Sequence, residues 1–166
     1  MDRQLIIDHI PRLRRYASAL VGDRYAADDL VQDTLERAWK KFYLWRPGSD
    51  LRAWLFAIMH NVFVNQVRRR RNEIEQAMED PPAVAVRATQ SDHLELQDVD
   101  RALRILSAEQ REVMLLIAVE QMTYDEVSRA LDIPIGTVMS RLSRARDRLR
   151  QLLGGQPPVV PLKVVK

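Results

Sequence analysis

The chain has 166 residues, no cysteine, 30% charged and 46% hydrophobic residues, and a formal net charge of +3. Without cysteine there is no disulfide framework, thiol nucleophile, iron–sulfur cluster or cysteine-ligated zinc, and three scattered histidines (His9, His60, His93) leave little for a metal site. No apolar run approaches the roughly 20 residues that span a bilayer, and Asp2, Arg3 and Asp8 interrupt what a signal peptide keeps apolar, which predicts a cytoplasmic protein.

The charge is gathered in blocks. Residues 1–74 carry 14 basic and 9 acidic side chains, residues 75–97 carry 1 and 5, and residues 98–166 carry 11 and 9. Two basic blocks therefore flank an acidic bridge.

In chain order, the first strong signal is a helical period from Ala26 to Trp45, with Leu30, Leu35, Ala38, Trp39 and Phe42 on its apolar face. Asp28, Asp29, Asp33 and Glu36 lie near its start, where the partial positive charge of a helix N-terminus favours them. Four acids so close suggest a metal site or a docking face. Asp29 and Asp33, at i and i+4, resemble a carboxylate pair for magnesium, but an N-terminal bundle of about 74 residues can hardly enclose a substrate cavity, which favours docking. Neither a metal, a cofactor nor a small-molecule substrate is expected.

Pro47-Gly48-Ser49-Asp50 punctuates the chain before a second helix that runs through Trp54 into Arg68-Arg69-Arg70-Arg71. Leu55, Ile58, Met59, Val62 and Phe63 form its apolar face, while Asn61, Asn65 and Arg68 share another. Amides and guanidinium at that spacing suit base edges and phosphates. The same pattern also describes a plain polar face ending in positive charge at a helix C-terminus. Seven of the ten aromatic residues fall in this half, most of them expected in the core, with one or two near the 43–50 loop available to hold an unstacked base.

From Glu75 to Gln97 the chain holds Pro81-Pro82, a run of small residues and little amphipathic period, which predicts a flexible linker. At the far end Gly154-Gly155-Gln156-Pro157-Pro158 stops any helix, and residues 154–166 are expected to be a disordered tail.

Between these breaks, Ser107 with Gln110 and Thr123 with Glu126 have capping-box spacing. Helices are predicted at roughly 96–106, 108–119, 124–131 and 136–152. A short helix ending at Leu131, a break at Asp132-Ile133-Pro134 and a longer basic helix opening at Gly136-Thr137 have the proportions of a helix-turn-helix. In the last helix Val138, Leu142, Ala145 and Leu149 make the buried stripe, and Thr137, Ser140, Arg141, Arg144 and Arg148 cluster about 100° around it. Five arginines in residues 132–150 face only Asp132 and Asp147 locally, so the excess calls for an external anion such as DNA. The fold class is therefore all-α: two small helical bundles, residues 1–74 and 98–153, joined by a flexible linker over 75–97. The pattern is silent on how the two bundles sit against each other.

These residues resemble a known family, the extracytoplasmic-function (ECF) sigma factors of bacterial RNA polymerase, over about residues 5–153. The run ADDLVQDTLERAWKKF is similar to the region 2 segment that binds core polymerase, and LRAWLFAIMHNVFVNQVRRRR to the helix that melts and reads the −10 element. The run LSAEQREVMLLIAVEQMTYDEVSRALDIPIGTVMSRLSRARDRLR is similar to region 4, the helix-turn-helix domain that reads the −35 element.

The resemblance implies a promoter-specificity subunit that is not itself an enzyme, with core RNA polymerase, promoter DNA and an anti-sigma factor, often membrane-bound, as partners. It assigns Asp28, Asp29, Gln32, Asp33, Arg37 and Trp39 to core polymerase binding. Asn61, Asn65, Arg68, Arg69, Arg70 and Arg71 would meet −10 DNA, with residues 45–50 as the pocket for a flipped base. Gly136, Thr137, Ser140, Arg141, Arg144 and Arg148 would meet the −35 element. The chain departs from the family pattern at Gln121 and Asp132, where glycine is common, at Ser128, where a small apolar residue is favoured, and at Met139, where a basic one is frequent. Asp132 tolerates a left-handed backbone and Ser128 is small enough for close helix packing. Three other readings stand beside this one. They are a sigma-like decoy that sequesters an anti-sigma factor, a dimeric helix-turn-helix repressor or activator, and a metal-dependent enzyme resting on Asp29 and Asp33.

Overall fold

The computed structural model describes residues 2–77 and 94–154, and every regular element among them is helical. The first half begins with α1 (Asp2–Ile7) and α2 (Ile10–Val21), where Pro11 sits in the first turn, a position that needs no N–H. Leu13, Tyr16, Ala17 and Leu20 form the buried face of α2, and Gly22 ends it in the left-handed conformation at φ +73°.

Helix α3 (Arg24–Lys41) starts two residues earlier than the hydrophobic period predicts, because the Asp23 carboxylate accepts from the Ala26 N–H at 3.1 Å. It also ends earlier than predicted. The chain tightens into a 3-10 turn at Phe42–Leu44, where the Phe42 ring packs on Trp45 at 5.4 Å and on Trp54 at 6.3 Å. Helix α4 (Leu51–Gln76) is capped by Asp50, which accepts from Ala53 N–H at 3.2 Å, and runs two residues past the predicted boundary at 74. Leu30, Leu55, Met59 and Val62 are fully enclosed, and Tyr16 meets Phe56 edge-on at 4.9 Å.

The second half comprises α5 (Leu94–Ile105), α6 (Ala108–Ala118), α7 (Tyr124–Leu131) and α8 (Ile135–Leu152), each within two residues of its predicted limits. Both predicted caps form. Ser107 accepts from Gln110 N–H, and Thr123 and Glu126 close a reciprocal capping box at 3.2 and 3.0 Å. Most of the predicted linker, and all of the predicted tail beyond Gly154, lie outside the described residues.

The bundles are folded against each other. Helix α2 packs on α5 and α6, α4 packs on α7, and the buried apolar residues of both halves join in one cluster.

Candidate docking and nucleic-acid interfaces

The acidic face of α3 divides in two. Asp28, Gln32 and Trp39 line an open groove of ≈ 650 Å³ together with Arg14 of α2, Arg24, Val31, Leu35 and Glu36. Trp39, expected in the apolar face, is 48% exposed and forms part of the groove wall. Arg37 is half-buried on the same helix.

Asp29 and Asp33 turn instead toward α4. The buried amide of Gln66 donates to Asp33 at 2.8 Å and to Asp29 at 3.3 Å. The carboxylate pair that could suggest a metal site is thus held by an amide from the neighbouring helix, and the described residues contain no cluster of three potential ligands. Gln66 was not singled out in the sequence. Its signal was there: a polar residue four and seven positions after Val62 and Met59, on the core face of α4.

On α4, Asn61, Asn65 and Arg68 to Arg71 are all exposed, and of the four arginines Arg71 is ion-paired with Glu75 at 3.2 Å. The preceding loop is built on Gly48 at φ +92° and on Ser49, whose hydroxyl donates to Arg46 C=O at 2.6 Å. Trp45 is folded into the aromatic cluster, whereas Tyr43 is 80% exposed beside it. Tyr43 is therefore the aromatic with a free face near this loop.

On α8 the predicted division between core and contact face appears. Val138, Leu142 and Ala145 are buried, Leu149 is half-buried, and Gly136, Ser140, Arg144 and Arg148 are exposed. Thr137 is half-buried. Arg141 differs from expectation. It is paired with Glu109 of α6 at 3.5 Å, so the acid that balances it lies 32 positions away, where a count of neighbouring charges does not reach.

The departures at glycine positions are accommodated by backbone that side chains rarely adopt: Gln121 has φ +54° and Asp132 φ +52°. Asp132 is the C-cap of α7, and Ser128 helps to close the turn by donating its hydroxyl to Ile133 C=O at 2.6 Å. Met139 is 52% exposed next to Ser140.

Comparison with known proteins agrees with this architecture. Residues 6–60 match the family described as the Sigma2 domain of PhyR, and residues 96–149 match sigma-70 region 4. The predicted −10 residues, Asn61 to Arg71, lie just beyond the first match. The chain is 38% identical over 153 residues to the ECF RNA polymerase sigma factor EcfG of Rhodopseudomonas palustris, covering 91% of this chain and 84% of that protein. It is 32% identical over 151 residues to the ECF sigma factor SigM of Mycobacterium tuberculosis, covering 91% and 76%. Among solved structures, the sigma factor RpoE in complex with the anti-sigma factor NepR from Bartonella quintana is 41% identical, with a TM-score of 0.79 over 91% of this chain and 95% of that one. CnrH, in complex with the cytosolic domain of CnrY, is 29% identical with a TM-score of 0.66, over 90% and 85%. With both sigma units in order and that identity along most of its length, the chain belongs to the ECF family of RNA polymerase sigma factors.

Proposed function

We propose that this chain works in the cytoplasm as a promoter-specificity subunit that carries out no chemistry of its own. The α3 groove with Asp28, Gln32 and Trp39 docks on core RNA polymerase, with Arg37 at its side and Asp29 and Asp33 fixing α3 on α4. Asn61, Asn65 and Arg68 to Arg71 meet −10 DNA, and Thr137, Ser140, Arg141, Arg144 and Arg148 meet the −35 element from a helix that opens at Gly136. The domain limits follow as region 2 over residues 1–74 and region 4 over 98–153, with residues 75–97 as their tether.

The observation that carries this reading is the presence, in one chain and in sigma order, of two separate basic helix faces left open to solvent. Unpaired guanidinium groups on a helix are a footprint for the phosphate backbone, and their position on α8 at a helix-turn-helix suits the major groove. The solved relatives that carry anti-sigma factors, NepR on RpoE and CnrY on CnrH, support control of this chain by a partner of that kind.

A decoy role is the second reading, favoured by one observation: the matching description for residues 6–60 is that of PhyR. A PhyR structure described as an anti-anti-sigma factor complexed with NepR shares the fold at 20% identity and a TM-score of 0.62. A decoy needs the anti-sigma surface but not the basic faces. Run-off transcription of fragmented bacterial genomic DNA with sigma-free core polymerase separates the two. Discrete new starts sharing upstream motifs near −35 and −10 are expected. No new starts, from core that responds to another sigma factor, would leave the decoy.

A further inference from the structure

Three sets of polar contacts pin the bundles together, none of them on the open basic faces. At the first, Arg104 donates to the carbonyls of Leu20, at 3.0 Å, and Ala19, and Arg111 donates to Leu20 at 2.8 Å. Two guanidinium groups thus meet the last turn of α2, the negative end of its dipole. Gly22 makes the approach possible. A Cβ there would lie 2.6 Å from the Arg104 guanidinium, and its φ of +73° disfavours a side chain as well.

At the second, Arg52 at the start of α4 donates to the carbonyl of Glu120 at 2.8 Å and lies 3.6 Å from the Glu126 carboxylate, while Arg12 of α2 lies 3.3 Å from the buried Glu120 carboxylate. At the third, His60 Nδ1 on α4 meets the buried Glu112 carboxylate of α6 at 2.7 Å.

The result is a groove of ≈ 370 Å³ between the bundles, with Phe63 and Arg68 on one wall and Leu131, Ile133 and Arg141 on the other. On the reading proposed above, Arg68 belongs to the −10 face and Arg141 to the −35 face. Those elements lie about 25 base pairs apart by their positions, roughly 85 Å at about 3.4 Å per base pair. Residues that line one groove of this size cannot occupy both elements at once.

We infer that the packing of the two bundles is an autoinhibitory latch, closed by Arg104 on the α2 carbonyls, Arg52 on Glu120 and His60 on Glu112, which must open before both faces can engage a promoter. The inference rests on the proposed assignment of the two basic faces. A latch of this kind lowers apparent affinity by the fraction of chain that is open.

The absence of cysteine allows clean site-specific labelling. Spin labels on Tyr25→Cys, three residues beyond Gly22, and on Arg101→Cys, one turn before Arg104, lie close together in the closed chain and far apart in an open one. Pulsed double resonance on the full chain should give one short-distance population, and Arg52→Ala with Arg104→Ala should transfer most of it to long, broad distances. In run-off transcription the same pair should reach half-maximal activity at about tenfold lower concentration, the change expected for a latch that leaves roughly one chain in ten open. Should that variant fail to fold, Gly22→Ala tests the latch from the α2 side. Its effect should shrink when Arg104→Ala removes the group that it strikes.

Long distances in the unaltered chain, or unchanged distances in a folded latch variant, would overturn the inference, as would opening without any gain in transcription. Opening combined with no transcription from either chain would instead sink the assignment of the faces, and with it the inhibitory role, while the distances still report the latch.

Discussion

Glu120 is the residue whose burial costs most against what it gains. Its carboxylate is 4% exposed, and burial raises its pKa above the usual value of 4.5, while Arg12, Arg52 and Arg15 pull it back. Because the folded-state pKa is raised, the cost is absent below the unfolded pKa of about 4.5, grows as pH rises through the folded value, and is complete at neutral pH. Glu120→Gln keeps the volume and removes the charge. Its Tm should exceed that of the unaltered chain at pH 7.5, with the difference closing as the pH is lowered to 4, a comparison that thermal unfolding at the two pH values decides. Tyr16, fully buried below it, has its phenol pKa pushed well above 10 by burial and by Glu112 and Glu120, and so stays neutral throughout.

At the scale of the element, α7 shows how little intrinsic stability a reading head can have. It is only eight residues long, below the length at which an isolated helix persists in water, so its capping box and its buried face of Val127, Ala130 and Leu131 must hold it. Thr123→Ala removes the side chain that accepts from Glu126 N–H and should cost about 1 kcal/mol. Urea denaturation followed by far-ultraviolet circular dichroism measures it, and a loss under a few tenths of a kcal/mol would mean the turn is held by packing alone. Helix α8, which leans on α7 through Leu131 and Leu142, keeps its basic face because its apolar stripe repeats at helical spacing.

For the whole molecule, the joined core implies that the halves unfold together. All three tryptophans, Trp39, Trp45 and Trp54, lie in the N-terminal half, so their fluorescence reports that bundle, whereas far-ultraviolet circular dichroism reports both. In urea the two signals should trace one transition for the unaltered chain and two for Arg52→Ala/Arg104→Ala, since losing the latch uncouples the bundles. Coincident curves in both proteins would mean that apolar packing of α4 on α7 couples them without the polar contacts.

What the sequence determined by itself is what repeats or caps locally. The helical periods of α4 and α8, the caps at Ser107 and Thr123, the break at Asp132 and the separation of apolar from basic faces all follow from interactions within a few turns of chain, and all are present in the fold. The ends of α3 were misread because Asp23 and the Phe42–Trp45–Trp54 cluster, rather than the apolar period, set them. Only the tertiary structure could bring Gln66 to Asp29 and Asp33, Glu109 to Arg141, His60 to Glu112 and Arg104 to the end of α2, for these partners stand 32 to 85 positions apart. A charge or an amide in sequence has no direction. Its partner is chosen by which helix face packs against which, and that choice is made by the burial of apolar surface across the whole chain.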